Sequence, residues 1–198
     1  MVDIRNLRDN IRKWVILAGI YGKVPPIAER ARKLAYRYQL RMSFDAREFR
    51  NALGCFATGI TVVTSRSATG EPLGVTVNSF SSVSLDPPLV LFSLAHVGGH
   101  CQEFLASGKF AVNILSREQR HLSDRFAMTR DNRFEGINHS LGENGSPVFE
   151  NSLAVFECET YAVHEAGDHA VFICRVTNVA MAEKEEALLF HKGQYHTL

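Results

Sequence analysis

The residues that could do the most chemistry lie in one stretch, GVTVNSFSSVSLDPP (Gly74–Pro88), which runs directly into the apolar segment LVLFSLA. Strands that only build a core use apolar side chains at their inward positions. This stretch instead carries short hydroxyl or amide side chains at Thr76, Asn78, Ser79, Ser81, Ser82 and Ser84. Proline fixes φ and keeps the preceding residue out of the helical region, so Asp86-Pro87-Pro88 predicts an extended corner. The pattern indicates a turn between two strands, lined with groups able to hold a polar ligand.

The histidine spacing resembles that of metal sites, but the neighbouring residues argue against one. His96 and His100 form H-x-x-x-H beside Cys101, yet two glycines between them disfavour the helix that would align the rings. His164 and His169 of HEAGDH are one residue further apart than in the zinc-protease motif H-E-x-x-H. No serine lies in a nucleophile-elbow glycine pattern. We therefore predict neither a metal site nor serine hydrolysis. Taken alone, His169 would be a hydrogen-bonded residue at the start of a strand.

Length and composition predict one domain plus an appendage. With 198 residues, 45% of them hydrophobic, the chain can bury one sizeable core. Its cysteines (Cys55, Cys101, Cys158 and Cys174) form no C-x-x-C pair, so they predict buried or free thiols in a reducing cytosol. The run Trp14–Tyr21 is far shorter than the roughly 20 apolar residues of a membrane span, and no signal-peptide cleavage site follows closely. We expect a cytoplasmic protein.

The overall charge of +1 hides two different regions. Residues 1–43 carry a net charge of +7, whereas residues 44–198 carry −6. The basic region predicts two amphipathic helices separated by Pro25-Pro26, and such helices could bind nucleic acid, an anionic membrane or an acidic partner. Two plainer interpretations are a solvated extension and a natural start at Met42. The predicted domains are a basic helical extension, 1–43, and a compact domain, 44–198.

The compact domain shows mainly strand-like patterns. A helix is expected over Ala46–Phe56, capped by Ser43 or Asp45, with Phe49, Ala52, Leu53 and Phe56 on a buried face. The predicted strands are Ile60–Thr64, Leu73–Asn78, Leu89–Leu94, Phe110–Leu115, Ala154–Val163, Ala170–Val179 and Leu188–Phe190, with short helices at Cys101–Ala106 and Arg117–Ala127. Six or seven strands without regularly alternating long helices favour an antiparallel barrel with small helices. The absence of a Walker loop and of G-x-G-x-x-G means that a nucleotide-derived cofactor must be held in another way.

Several sequence blocks together carry a resemblance to a known family. In order, they are FRNALGCFATGITVVT, GVTVNSFSSVSLDPPLVLFSLA, SGKFAVNIL, RF, GSPVFENSLAVFEC, GDHAVFICRV and LLFHKGQY. This set resembles the flavin reductase-like, FMN-binding split-barrel family, and in particular the small reductase components of two-component flavin-dependent monooxygenases. The resemblance spans residues 44–195 and leaves out the basic extension.

The resemblance implies a mainly β, six-stranded antiparallel Greek-key split barrel that forms a homodimer with flavin at the subunit interface. It also implies that NADH or NADPH reduces FMN or FAD by hydride transfer and that the reduced flavin passes to a partner monooxygenase. The family's flavin contacts carry over to a set that we call the flavin-side residues: Thr76, Val77, Asn78, Ser79, Ser82, Val83, Ser93, Leu94, Ala95, Gly99, His100, Arg125 and Phe126. The nicotinamide contacts carry over to a second set that we call the nicotinamide-side residues: Phe190, His191, Lys192, Gly193, Tyr195 and the catalytic candidate His169.

The residue types suit that reaction. Hydride transfer between two stacked rings requires the protein mainly to position them and to exclude water. Asn78 and Ser79 can hydrogen-bond the polar edge of a flavin without covering either face. Arg125 is a permanent planar cation for a phosphate or for the negative charge of reduced flavin. His169 can donate to a carbonyl or phosphate of the nicotinamide nucleotide, although hydride transfer itself needs no acid.

One departure from the family pattern concerns the flavin phosphate. Where many relatives carry hydroxyl side chains for this group, the chain has Gly98-Gly99-His100. Bare N–H groups at the start of a helix can still bind an anion. The choice between FMN and FAD stays open here, as do the choice between NADH and NADPH, the identity of the partner oxygenase and the tightness of flavin binding.

Two other functions remain as alternatives at this point. One is a non-catalytic flavin- or haem-binding carrier or sensor, which would bind flavin without its being bleached by NADH. The other is a nucleic-acid or membrane module that uses the basic extension. The acidic domain would repel a phosphate backbone, so only the extension could contribute to that binding.

Overall fold

The computed structural model describes residues 44–97, 100–128, 132–183 and 186–197. The predicted helices of the basic extension and the predicted domain boundary lie outside these residues and stay predictions. The chain divides into two compact units, Met1–Arg50 and Asn51–Leu198. Apart from the start of the first helix, every helix and strand described belongs to the second unit.

The described chain is mainly β with few helices, as expected. The helices are α1 (Ala46–Leu53), α2 (Cys101–Ser107) and α3 (Arg120–Met128), with a 3-10 turn at Arg117–Gln119. The longer strands are β2 (Thr61–Arg66), β3 (Pro72–Val77), β4 (Ser81–Leu85), β5 (Pro88–Ala95), β6 (Lys109–Ile114), β9 (Ala154–Ala166) and β10 (His169–Met181). The short strands are β1 (Thr58–Gly59), β7 (Ser140–Leu141), β8 (Pro147–Val148), β11 (Leu188–His191) and β12 (Gln194–Thr197).

The long strands form one antiparallel sheet in the order β3-β2-β6-β9-β10-β5-β4. Its two outermost strands, β3 and β4, are consecutive in sequence and are joined by residues 78–80 alone. Three residues can span only about 10 Å, so the two edges must meet at this end and the sheet curls into a split barrel. The predicted fold class is therefore confirmed. The main sheet has a seventh strand because the serine-rich stretch also pairs.

That seventh strand corrects part of the interpretation of Gly74–Pro88. The stretch was expected to be a turn, but Ser81–Leu85 pairs with β5, from Ser81 opposite Leu91 to Leu85 opposite Pro88. Backbone hydrogen bonding to a neighbouring strand outweighs the weak strand preference of serine here. The expected corner lies at residues 86–87, between β4 and β5.

Phenylalanine rings dominate two buried clusters that hold the sheet in place. In the first, Phe92 stacks on Phe172 at 5.0 Å between ring centroids, and Phe104 stacks on Phe110 at 5.9 Å. In the second, Phe126 packs against Phe134 and Phe149, at 4.9 and 5.3 Å. Gly74 of β3 allows the second cluster to approach the sheet, because a Cβ there would lie 2.6 Å from the Phe126 ring.

Helix α1 confirms one expectation and overturns another. The Asp45 carboxylate accepts hydrogen bonds from the backbone N–H groups of Arg47 and Glu48, at 2.8 and 2.7 Å, as a helix cap does. The helix ends at Leu53 rather than at Phe56, and none of its residues is buried. The prediction of a buried face was wrong for the single chain. Hydrophobic spacing shows which face of a helix is apolar, but it does not show whether another part of the same chain packs against that face.

No helix in the described ranges is both long enough and apolar enough to cross a membrane.

Candidate functional site

The pairing of β5 with β10 brings the two predicted sets of residues together. Ala95 lies opposite His169, Leu94 opposite Ala170, and Ser93 opposite Val171. Ser93, Leu94 and Ala95 are flavin-side residues, whereas His169 is the catalytic candidate on the nicotinamide side. Residues that are about 75 positions apart in sequence are therefore neighbours on one antiparallel ladder, where directly opposed Cβ atoms lie about 5 Å apart.

The turn between β3 and β4 is held against β5 by Ser79. Its hydroxyl accepts a hydrogen bond from the Ser93 backbone N–H at 2.9 Å and lies 3.3 Å from the Ser93 carbonyl oxygen, to which it donates. The neighbouring Asn78 is exposed, and its side chain makes no hydrogen bond to any described residue. Ser79 therefore fixes the backbone of the turn, and Asn78 presents an amide whose donors and acceptor are available to a ligand.

The serine-rich strand β4 also faces solvent. Ser82 is exposed, and a bulge between Ser82 and Ser84 takes Val83 out of the ladder. Val83 retains 45% of its accessible surface. Because β4 is the outermost strand, one of its edges has no partner strand among the described residues. The flavin-side residues Ser82 and Val83 thus lie on an open surface of the strand that follows the turn containing Asn78.

Two other flavin-side residues, Thr76 and Val77, are largely used by the fold itself. The Thr76 hydroxyl donates to the Ser123 carbonyl oxygen of α3 at 2.7 Å. Val77 is buried in the first core cluster, and its carbonyl accepts a 3.1 Å hydrogen bond from the Thr61 hydroxyl. Their side chains stabilise the end of β3 rather than form an open surface.

Arg125 and Phe126 are likewise engaged within the protein. The Arg125 guanidinium donates to the carbonyl oxygens of Asn132, Arg133 and Glu135, at 3.1, 3.1 and 2.9 Å. The Phe126 side chain is fully buried in the second core cluster. Arg125 therefore holds the loop at residues 132–135, a task that sequence reasoning did not foresee.

A cavity of about 510 Å³ adjoins His100, the residue expected near the flavin phosphate. Its walls are Glu71, Pro72, Gly74, His100, Asn132, Arg133, Phe134 and Glu135. The His100 ring Nδ1 lies 3.4 Å from a carboxylate oxygen of Glu103, within one turn of α2. Gly99, also expected at the phosphate, lies outside the described residues.

His169 is oriented by the residue that precedes it. Its ring Nδ1 lies 2.7 Å from the Asp168 carboxylate, and this hydrogen bond lowers the pKa of Asp168 below its ordinary value. On the adjacent strand end, His96 Nε2 lies 2.9 Å from the Glu165 carboxylate, and the His96 backbone N–H donates to the Asp168 carbonyl. Sequence reasoning missed Asp168 and Glu165 as partners. The only signal for Asp168 was its adjacency to His169.

The remaining nicotinamide-side residues form the β11–β12 hairpin. Phe190 pairs with Tyr195, and the turn is made by Lys192 and Gly193, with positive φ values of 49° and 78°. His191 lies opposite Gln194 at the last pair before the turn. The Tyr195 hydroxyl donates to Asp124 at 2.9 Å, and burial is the main cause that raises the pKa of Tyr195 above its ordinary value. The hairpin is thus attached to α3 through Tyr195.

Comparisons with known proteins identify the family of this chain. The flavin reductase-like domain matches residues 53–198, which is well over half of the chain. The chain belongs to the flavin reductase-like family. The structure of nitrilotriacetate monooxygenase component B from Mycobacterium thermoresistibile superposes with a TM-score of 0.75 and 39% identity, over 79% of this chain and 88% of that one.

Two curated relatives of this flavin reductase-like chain differ in length. The FMN reductase (NADH) SmoA of Agrobacterium fabrum is 47% identical over 152 residues, 76% of this chain and 85% of SmoA. A probable flavin reductase of Rhizobium meliloti is 47% identical over 134 residues, 68% of this chain. The aligned part is only 43% of that relative, so the chain spans less than half of its length.

The residues present fit a bound flavin. Asn78 and Ser82 are exposed polar residues: Asn78 adjoins Ser79, which bonds Ser93 of β5, and Ser82 pairs with Val90 of the same strand. Asn78 offers both donors and an acceptor, which the polar edge of an isoalloxazine ring can use. Within the described ranges no three histidine, cysteine or acidic side chains are placed to hold a metal ion.

Proposed function

We propose that the chain is an NAD(P)H-dependent flavin reductase that passes a hydride from NADH or NADPH to FMN or FAD and supplies reduced flavin to a partner monooxygenase. The observation that carries the proposal is the β5–β10 ladder, in which His169 pairs with Ala95. A residue expected to bind the hydride donor lies beside one expected to bind the acceptor. Membership of the flavin reductase-like family supports the same reaction.

The chain's own contribution to this reaction is positioning. When bound, flavin accepts the hydride that the reduced nicotinamide releases. Asn78 and the exposed edge of β4 would hold the polar edge of the flavin. Leu94 is buried in the core, so β5 supports that surface on a rigid strand. A site built on a packed sheet keeps reacting groups in place better than one built on loops alone.

His169 and Asp168 would bind the nicotinamide nucleotide. The Asp168 carboxylate only accepts, so His169 Nδ1 carries the proton between them, and Nε2 is left without a partner among the described residues. The Asp168 carboxylate is charged at neutral pH like any ordinary aspartate, and its lowered pKa keeps it charged, and holding the ring, into more acidic solution. His169 Nε2 is then available to a carbonyl or phosphate of the nucleotide.

We propose a homodimer in the cytoplasm as the working form. Leu53, Phe56 and Leu85 keep 58%, 78% and 95% of their accessible surface, and such apolar surface favours association. The four cysteines are free thiols, as suits a reducing compartment. Sedimentation of the purified chain tests the dimer directly.

The reductase activity is tested by anaerobic mixing. Purified protein at catalytic concentration is combined with FMN or FAD and with NADH or NADPH, in all four pairings, while the visible absorbance of the flavin is followed. Loss of the band supports the proposal and shows which flavin and which nucleotide are preferred. A band that persists in all four mixtures, while flavin binds, would favour the carrier or sensor instead. Adding a candidate monooxygenase and its substrate to the active mixture then tests the partner.

A further inference from the structure

One turn of α3 contacts both halves of the proposed site. Ser123 is fully buried, and its backbone carbonyl accepts the hydrogen bond from Thr76 at the end of β3. On its other side, the Ser123 hydroxyl lies 2.9 Å from the Tyr195 hydroxyl of the β11–β12 hairpin. Thr76 is a flavin-side residue and Tyr195 a nicotinamide-side residue, so a single buried serine is bonded to each.

The direction of these hydrogen bonds follows from the number of protons. Tyr195 has one hydroxyl proton, which it donates to the Asp124 carboxylate at 2.9 Å. Between Ser123 and Tyr195, the serine hydroxyl must therefore be the donor. Both hydrogen-bonding functions of the Tyr195 hydroxyl, one as donor and one as acceptor, are thus used by adjacent residues of α3, and both of its partners belong to the same helical turn.

A cation on the same helix face completes the attachment. The Arg120 guanidinium carbon lies 4.7 Å from the centre of the Tyr195 ring, and Arg120 Nε lies 3.7 Å from Asp124. Residues three and four positions apart share a helix face, so Arg120, Ser123 and Asp124 all meet Tyr195. Tyr195 is held at its hydroxyl and over its ring, which restricts both the tilt and the distance of the hairpin.

We infer that Ser123 is a positioning residue, which fixes the nicotinamide-side hairpin relative to the flavin-side strand. The inference rests on the proposed reductase function. Hydride transfer depends steeply on how the two rings are placed, and an error near 1 Å costs on the order of 100-fold in rate. Because Ser123 is fully buried, it touches neither ligand. It acts through Tyr195 on one side and through Thr76 on the other.

Two mild substitutions test this inference. Ser123→Ala and Tyr195→Phe each remove the hydrogen bond between the Ser123 and Tyr195 hydroxyls, which we call the hydroxyl pair. Both keep the Ser123 carbonyl that accepts from Thr76. We expect each to lower kcat/KM for NADH about five- to tenfold, the loss that corresponds to a hydrogen bond of ordinary strength. Flavin affinity should stay within about twofold, since β3 keeps its bond to α3. The double variant should be no worse than Tyr195→Phe alone, because that substitution already removes the hydrogen bond to Ser123 together with the one to Asp124.

The matched control is Ser107→Ala. Ser107 also bonds another serine, at 2.7 Å from Ser65, but at the opposite end of α2 from His100. This control should leave kcat/KM for NADH and the flavin affinity unchanged. Unchanged kcat/KM in Ser123→Ala would overturn the inference, as would additive losses in the double variant. So would a parallel fall in flavin and NADH binding, which is what a merely structural role produces.

A second measurement separates this inference from the proposed function. If the wild-type chain reduces no flavin, the reductase proposal fails, and amide hydrogen exchange still reports on the hairpin. Tyr195→Phe should then speed exchange in β11–β12 and leave β3 unchanged. Equal exchange in wild type and variant would show that the hydroxyl pair does not position the hairpin.

Discussion

The β3–β4 turn and the α3–hairpin region use their polar residues in opposite ways. In the turn, Asn78 is exposed and its side chain bonds no described residue. In the α3–hairpin region, the Tyr195 hydroxyl is bonded to both Ser123 and Asp124. The resemblance to the flavin reductase-like family led us to expect ligand contacts in both the turn and the hairpin. The difference teaches that a residue type expected at a ligand site can be left open to solvent or can be bonded within the protein, and that sequence alone does not tell which.

The largest effect on ligand binding should come from the β3–β4 turn, where the polar side chain is exposed. Asn78→Leu should weaken flavin binding by about 2 kcal/mol, because the polar contacts are lost and the ring position is obstructed. The melting temperature should hardly change, since the Asn78 side chain is exposed and bonds no described residue. Fluorescence titration with FMN and FAD measures the affinity.

Ser79→Leu is the comparison variant, because Ser79 both belongs to the flavin side and bonds Ser93. It should lose flavin affinity and stability together. If Asn78→Leu bound flavin as tightly as the wild type, the open surface would not be the flavin site.

For Arg125, whose side chain is bonded within the protein, we expect a loss of stability rather than a loss of ligand affinity. Arg125→Leu should lower the free energy of unfolding by about 1.5–3 kcal/mol, because three carbonyl oxygens lose their charged donor. Urea denaturation gives this value, and Arg125→Lys should restore little of it because lysine lacks the planar fork. A variant with wild-type stability but no flavin affinity would return Arg125 to a direct role at the flavin phosphate.

His169 lies where the flavin-side and nicotinamide-side residues meet. Its substitution should affect the use of NADH and leave flavin binding unchanged. His169→Ala should raise KM for NADH, or lower the rate of reduction, by about five- to tenfold, with flavin affinity nearly unaltered. Steady-state kinetics at saturating flavin and a separate flavin titration give the two quantities. Equal losses in both would mean that the Gly167–His169 turn binds flavin or supports the fold.

The smallest effect is expected from the basic extension. A chain that begins at Met42 should fold, dimerise and reduce flavin within about threefold of the full chain, because every proposed site residue follows that position. The attraction between the net +7 of residues 1–43 and the −6 of the rest is screened beyond roughly 8–10 Å at physiological salt. Turnover at matched flavin and NADH is the measurement. A collapse of activity in an intact dimer would show that the extension completes the site.

Much of the fold could be predicted from local pattern. The β-branched and aromatic runs placed the long strands, and the Asp45 cap and hydrophobic spacing placed the start of α1. Strand β4 was missed because serines have weak strand preference, and its pairing with β5 depends on a neighbour. The prediction of a buried face for α1 was wrong for a related reason, since spacing identifies an apolar face but not the element that packs against it.

The sequence by itself determined the family and the antiparallel β class, and it predicted that a stretch of short polar side chains contacts a ligand. Only the tertiary structure decided which of these side chains are available and which are bonded within the protein. Ala95 meets His169, Ser123 joins Thr76 to Tyr195, and Arg125 bonds the loop at 132–135. Most of these contacts join residues far apart in the chain, so strand register and helix packing set them. Local propensity, which acts over a few neighbouring residues, carries no information about such pairs.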